Sequence, residues 1–217
     1  MLTSNIEKQN TNINIAISEN QTITVNLSKE TGYLSIIGNF NKNTGVSEPL
    51  THLEINGEFN QPIILPDSLT LLNISGIFNQ IITIPKNLNY LEIKGIFNKP
   101  IILPENMISI TINGEFNQSI IFPPRLEHIT ISGKFNKPII LPTLLEYLEI
   151  SGEFNQPINL TDSIDYFELG GKYNQPTILP SSIYSLEICG TFNKPLILPY
   201  SLKRLIINEE INYTFFI

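Results

Sequence analysis

Residues 57–75 read GEFNQPIILPDSLTLLNIS, and the glycine that opens this stretch returns every 19 residues, at Gly38, Gly57, Gly76, Gly95, Gly114, Gly133, Gly152, Gly171 and Gly190. Each unit follows G-x-F-N-[KQ]-P-I-I-L-P-x-S-L-x-x-L-x-I-x with no insertion from Gly38 to Asn208. Self-similarity at such a period marks a solenoid, whose coils bury a core only by stacking on their neighbours. Two apolar patterns recur in each coil. The L-x-x-L-x-I stretch (Leu69, Leu72, Ile74; Leu145, Leu148, Ile150) ends in strand-like alternation, and stacking would join these strands in a parallel sheet. In P-I-I-L-P (residues 62–66 and 138–142) prolines remove backbone donors, so this side reads as a weaker strand or an extended segment.

The remaining fixed positions are turn and corner chemistry. Glycine permits a positive φ or a close backbone approach after the sheet strand. An aromatic follows two residues on, from Phe40 to Tyr173 and Phe192, and a stack of such rings would fill the corner. Asn comes next in all nine units, Asn41 through Asn193, where a short amide satisfies turn backbone and reaches the adjacent coil. These columns read as scaffold.

The pairing of L-x-x-L-x-I with a turn resembles a leucine-rich repeat, and the unit G-x-F-N-x-P-I-x-L-P-x-S-L resembles the FNIP repeat. That resemblance covers about residues 38–208 and implies an LRR-like fold. The family occurs in amoebal and giant-virus proteins of AT-rich genomes, sometimes behind an F-box. A richness in Ile (39) and Asn (26) fits such a genome. Two departures stand out: the 19-residue unit is shorter than the family's usual one, and no F-box-like helical segment precedes the array. A ubiquitin-ligase role therefore does not carry over. The expected fold is a mainly β, right-handed stack of 19-residue coils with a parallel sheet on one face and extended or irregular segments on the other. Residues 1–37 would be a cap and degenerate first coil, residues 38–208 nine repeats, and residues 209–217 a tail or cap that folds over the last coil. Terminal coils need atypical sequence because they shield an open core.

Composition excludes several functions. One Ala among 217 residues speaks against extensive helix. A net charge of −7 argues against nucleic acid as the main partner, since phosphate contacts need clustered Lys and Arg. The single cysteine, Cys189, excludes an intrachain disulfide and fits a reducing compartment. The opening MLTSNIEKQN lacks a signal-peptide core and no window approaches 18 apolar residues, so the expectation is an intracellular, cytoplasmic protein (host cytoplasm if viral) with no membrane partner. Catalytic and metal constellations are thin. His52 and His128 share a phase but lie four coils apart, about 19 Å at the strand spacing, and Cys189 is three coils from His128. No Walker loop, zinc spacing or nucleophile elbow occurs. The sequence thus assigns no catalytic residue, no cofactor and no metal ligand.

Variation between coils is more informative. If the strand Leu and Ile face inward, alternate positions face out, among them Tyr90, His128, Tyr147 and Tyr166 in one column and Glu92, Glu149, Glu168 and Glu187 in the next. Those eight residues are the candidate partner-binding set, suited to a basic or amphipathic protein segment. The competing reading is a solvated strand face in which Glu supplies solubility. On the other side Ile64, Ile102, Ile121, Ile140, Ile178 and Ile197 either face outward as an apolar stripe or are partly buried on an irregular segment. Three functions follow: a non-enzymatic protein-binding scaffold, monomeric or weakly self-associating; a self-assembling solenoid using the Ile stripe or C-terminal edge; and a carbohydrate-active β-helix enzyme, for which only the Glu149, Glu168, Glu187 column could serve.

Overall fold

The computed structural model describes residues 12–17, 32–38, 44–45, 50–59, 63–208 and 215–216. Eleven of its strands form one parallel sheet in chain order, from Asn12–Ile17 at one edge through Tyr33–Gly38 and His52–Phe59 to Arg204–Ile207 at the other. From Tyr33 onward the register advances one unit per strand: Tyr33 pairs with His52, His52 with Leu71, and Tyr147 with Tyr166. Identical units therefore place identical phases side by side, and this is what turns a sequence column into a surface row. The described residues contain no helix, hence none long and apolar enough to cross a membrane.

The core runs the length of the stack. In Tyr147–Ile150, Leu148 and Ile150 are buried while Tyr147 and Glu149 are half-buried on the other face. The corner aromatics form one column, Phe78, Phe97, Phe116, Phe135, Phe154, Tyr173 and Phe192, with successive ring centroids 5.8–6.2 Å apart and planes within 13°. Strands in a sheet lie about 4.8 Å apart, and the Tyr147 and Tyr166 rings on its outward side are 4.5 Å apart.

Three devices lock coil to coil. At the corner, Gly114 has φ +123°, and a Cβ there would run into the carbonyl oxygen of Gly95 in the previous coil. Beyond the aromatic, each Asn accepts the next Asn's backbone N–H on its Oδ1: Asn98 donates to Asn79 at 3.1 Å, Asn117 to Asn98 at 2.9 Å and Asn136 to Asn117 at 3.0 Å. The ladder continues through Asn155, Asn174 and Asn193. In L-P-x-S-L the backbone closes a tight turn (Leu69 N–H to Pro66 O, 3.1 Å), and the turn serine reaches back one coil, as Ser68 Oγ does to Leu50 O at 2.7 Å. The Asn, aromatic and glycine columns are the scaffold the sequence foretold, over the described coils; Phe40, Asn41 and Asn60 lie outside them.

On the back, the two readings of P-I-I-L-P resolve in favour of an outward stripe. Ile101 and Leu103 are buried, whereas Ile102, Ile121 and Ile140 are 88–89% exposed. Among the described residues the segment pairs toward the ends of the array, Thr44–Gly45 with Ile63–Ile64 and Leu196–Ile197 with Phe215–Phe216. The second pairing lays the tail's backbone alongside the last coil. Of residues 1–37, read as a cap and degenerate first coil, 12–17 and 32–37 are described, and Asn12–Ile17 pairs with Tyr33–Gly38 as the edge of the sheet; the others lie outside the described residues.

Candidate functional site

The outward sheet face is built from strand residues whose side chains alternate away from the core, so its rows inherit the coil register. His128, Tyr147 and Tyr166 make a continuous aromatic row: His128 lies 5.9 Å from Tyr147 and tilted by 32°, and Tyr147 stacks on Tyr166 at 4.5 Å with planes 4° apart. The row stops at Ser185, which is buried. Beside it stand Glu149, Glu168 and Glu187 in direct register. Tyr147 Oη donates to Glu149 at 3.2 Å, and Tyr166 Oη to Glu168 at 3.2 Å and Glu187 at 3.3 Å. Thr130 Oγ1 adds a 3.4 Å bond to Glu149.

Electrostatics follow from that stacking. Glu168 sits between two carboxylates one strand spacing away, and burial, then Glu149, then Glu187, raise its pKa above the usual glutamate value. Burial and then the Glu149 charge push the Tyr147 hydroxyl up to about 12, and burial with Glu168 raises that of Tyr166 as well. Both phenols stay protonated donors at neutral pH, which is why they can bridge the acidic row.

Tyr90 and Glu92 fall outside this cluster. A coil bearing Ser109 and Thr111 separates them from His128, and Lys94 Nζ pairs with Glu92 at 2.6 Å. The structure thus joins six of the eight sequence candidates and sets two apart. It also adds residues that the sequence reading missed. Glu127, Glu146 and Asp165 occupy the position just before the strands, and each carbonyl accepts the first two N–H groups of the next coil, as Glu127 O does from Glu146 and Tyr147. Along the chain each directly precedes one of the aromatic row's residues, His128, Tyr147 and Tyr166. The signal was available in the spacing, since 127, 146 and 165 share one phase, but that phase reads as turn. At the start of these strands an open cleft of about 590 Å³ runs past Asn89, Arg125, Glu127 and Leu144.

One mixed donor set lies at the end of the acidic row. A thiol and two carboxylates, Cys189, Glu168 and Glu187, bring ligand atoms within 4.8 Å of one another, all half-buried. Their lone pairs are partly engaged: Asn208 Nδ2 donates to Glu187 at 2.5 Å and to Cys189 Sγ at 3.2 Å, and Tyr166 to both carboxylates. Burial raises the Cys189 thiol, so it is held protonated.

Comparison with known proteins agrees with the geometry. The FNIP repeat family matches residues 97–134 and again 116–153, one coil further on. Among solved structures the chain is similar to that of CroV588, a circular LRR protein from a giant virus, with TM-score 0.70 and 29% identity over 86% of this chain. The chain spans about a third (35%) of that protein's length. No curated protein matches.

Proposed function

We propose that this chain, an array of FNIP repeats with an LRR-like fold, is a non-enzymatic scaffold whose outward sheet face binds a basic segment of a protein partner. The observation that carries this reading is one contiguous patch in which an aromatic row, His128, Tyr147 and Tyr166, stands beside an acidic row, Glu149, Glu168 and Glu187. Aromatics supply most of the energy in typical interfaces, while the acidic row attracts Lys and Arg and sets the encounter rate. The patch is preformed by sheet pairing, so little order is lost on binding. Carboxylates that repel one another in the free protein gain from a cation between them, which a Lys or Arg side chain supplies. Its lone thiol suits a reducing interior, and the cytoplasm is the proposed place of work.

A fluorescently labelled Lys/Arg-rich peptide, with an acidic peptide of equal length as control, tests the reading by anisotropy. Binding should tighten as salt falls, as expected for screened charges. Tyr166→Ala should weaken it by about 2 kcal/mol, the loss of one hot-spot aromatic. Glu168→Lys should slow association and flatten its salt dependence, while Ile140→Lys on the opposite side should leave binding intact. Equal affinity for the basic and acidic peptides, or loss of binding only in the Ile140 variant, would remove the sheet face as the interface.

A further inference from the structure

The back of the array is a second surface with different chemistry. Ile102, Ile121 and Ile140 stand on three successive coils, nearly fully exposed, and the next positions in the same row, Thr83 and Asn159, end the run. Prolines flank the ridge (Pro100, Pro104, Pro123, Pro138, Pro142), so few backbone donors border it. The apolar area of three such isoleucines and their proline borders is on the order of several hundred Å², as large as the largest patch on a typical monomer.

The occupant can be read from the charges beside the ridge. Before it stand Lys99, Gln118 and Lys137; after it come Glu105, then Pro124 and Arg125, then Thr143. Among the described residues Lys86, Lys94, Lys134 and Lys172 all form ion pairs within the chain, but Lys99, Lys137 and Glu105 do not. A second copy brings a ridge of identical pitch, and two orientations are open to a two-fold contact centred on Ile121. With ridges antiparallel, like flanks meet: Lys99 faces Lys137 and Arg125 faces its own copy. With ridges parallel, opposite flanks meet, and Lys99 of each copy faces Glu105 of the other, twice by symmetry. The contact covers the three successive coils whose isoleucines run without a break.

We infer that the chain forms a parallel two-fold dimer, back to back through Ile102, Ile121 and Ile140, with reciprocal Lys99–Glu105 ion pairs at its rim. This leaves the two sheet faces pointing outward, and it stands or falls independently of what those faces bind. Sedimentation equilibrium on the full chain from micromolar to several hundred micromolar should show monomer passing to dimer. Ile121→Lys should raise the dissociation constant by about tenfold or more, as for a central contact residue, with unchanged thermal unfolding because the side chain lies in water in the monomer. Lys99→Glu should weaken association, and the Lys99→Glu, Glu105→Lys double variant should restore it. In a Cys189→Ser background, Ile102→Cys alone should form an oxidised dimer, since each Ile102 meets its own copy. Cross-linking only when the Ile102→Cys and Ile140→Cys chains are mixed would overturn the orientation. A monomer at every concentration, or an Ile121→Lys variant that still dimerises, would overturn the interface.

Discussion

On the Asn flank each coil from Asn79 to Asn174 accepts a backbone N–H from the next one at 2.9–3.1 Å, so each added unit satisfies its predecessor. On the outward sheet face of the C-terminal coils, the same stacking sets Glu149, Glu168 and Glu187 in register, where like charges oppose one another. One row converts repetition into cohesion, and the other accumulates repulsion. The corner and flank columns thus add to the cohesion of the core, while the outward sheet face adds a row that opposes it. Substitutions in the two regions should differ both in size and in sign.

The largest effect belongs to the corner. Gly114→Ala must hold φ near +123° and push a methyl into the carbonyl of Gly95, so neither local strain nor a small side-chain movement relieves it. A loss of about 3 kcal/mol or more is expected, since strain and backbone displacement add. Urea unfolding of the variant checks this. Stability equal to the parent protein would mean that the corner adapts and that cohesion lies elsewhere. Next comes Asn117→Leu, which keeps the Asn117 N–H bond to Asn98 but takes away the acceptor of the Asn136 N–H. Its cost should be about 1–3 kcal/mol, toward the lower value where water replaces the lost partner. An unchanged midpoint would show that the ladder is decoration.

These same columns explain why the fold was legible. A 19-residue period, a glycine that a positive φ or a close backbone approach accounts for, and an Asn in every unit constrain one another, so the coil, its parallel sheet and its aromatic stack follow from sequence. The site was legible in part. Alternation placed Tyr147, Glu149, Tyr166 and Glu168 on the outward face, but sequence could not separate Tyr90 and Glu92, because the isolating Ser109 coil and the Lys94 pair act through space. Glu127, Glu146 and Asp165 went unread for a related reason: a residue just before a strand carries no alternation signal, and the bonds its carbonyl accepts come from the next coil. The fate of P-I-I-L-P depended on whether unpaired extended backbone holds strand geometry. Burial of Ile101 and Leu103 on either side of Ile102 is what keeps that ridge pointing out.

The smallest effect has the opposite sign. Glu168 is half-buried between two carboxylates, and its folded pKa lies above the value of 4.5 for an unperturbed glutamate. Between the unfolded and folded values the native chain binds more protons than the unfolded one, so stability falls as pH rises through that window and stays reduced above it. Glu168→Gln has no such window, and its amide oxygen still accepts from Tyr166. The variant should therefore match the parent protein below the ordinary glutamate range and exceed it at neutral pH. The gain should be only a few tenths of a kcal/mol, because the group is partly solvated and screened. Added salt should shrink the difference at neutral pH and leave it at zero in acid. Denaturant midpoints at two pH values and two salt concentrations decide the matter. A variant less stable than the parent protein at neutral pH would mean that the Tyr166 hydroxyl bond outweighs the repulsion. The acidic row would then belong with the cohesive columns, and the contrast between flank and face would fail at the residue where it is sharpest.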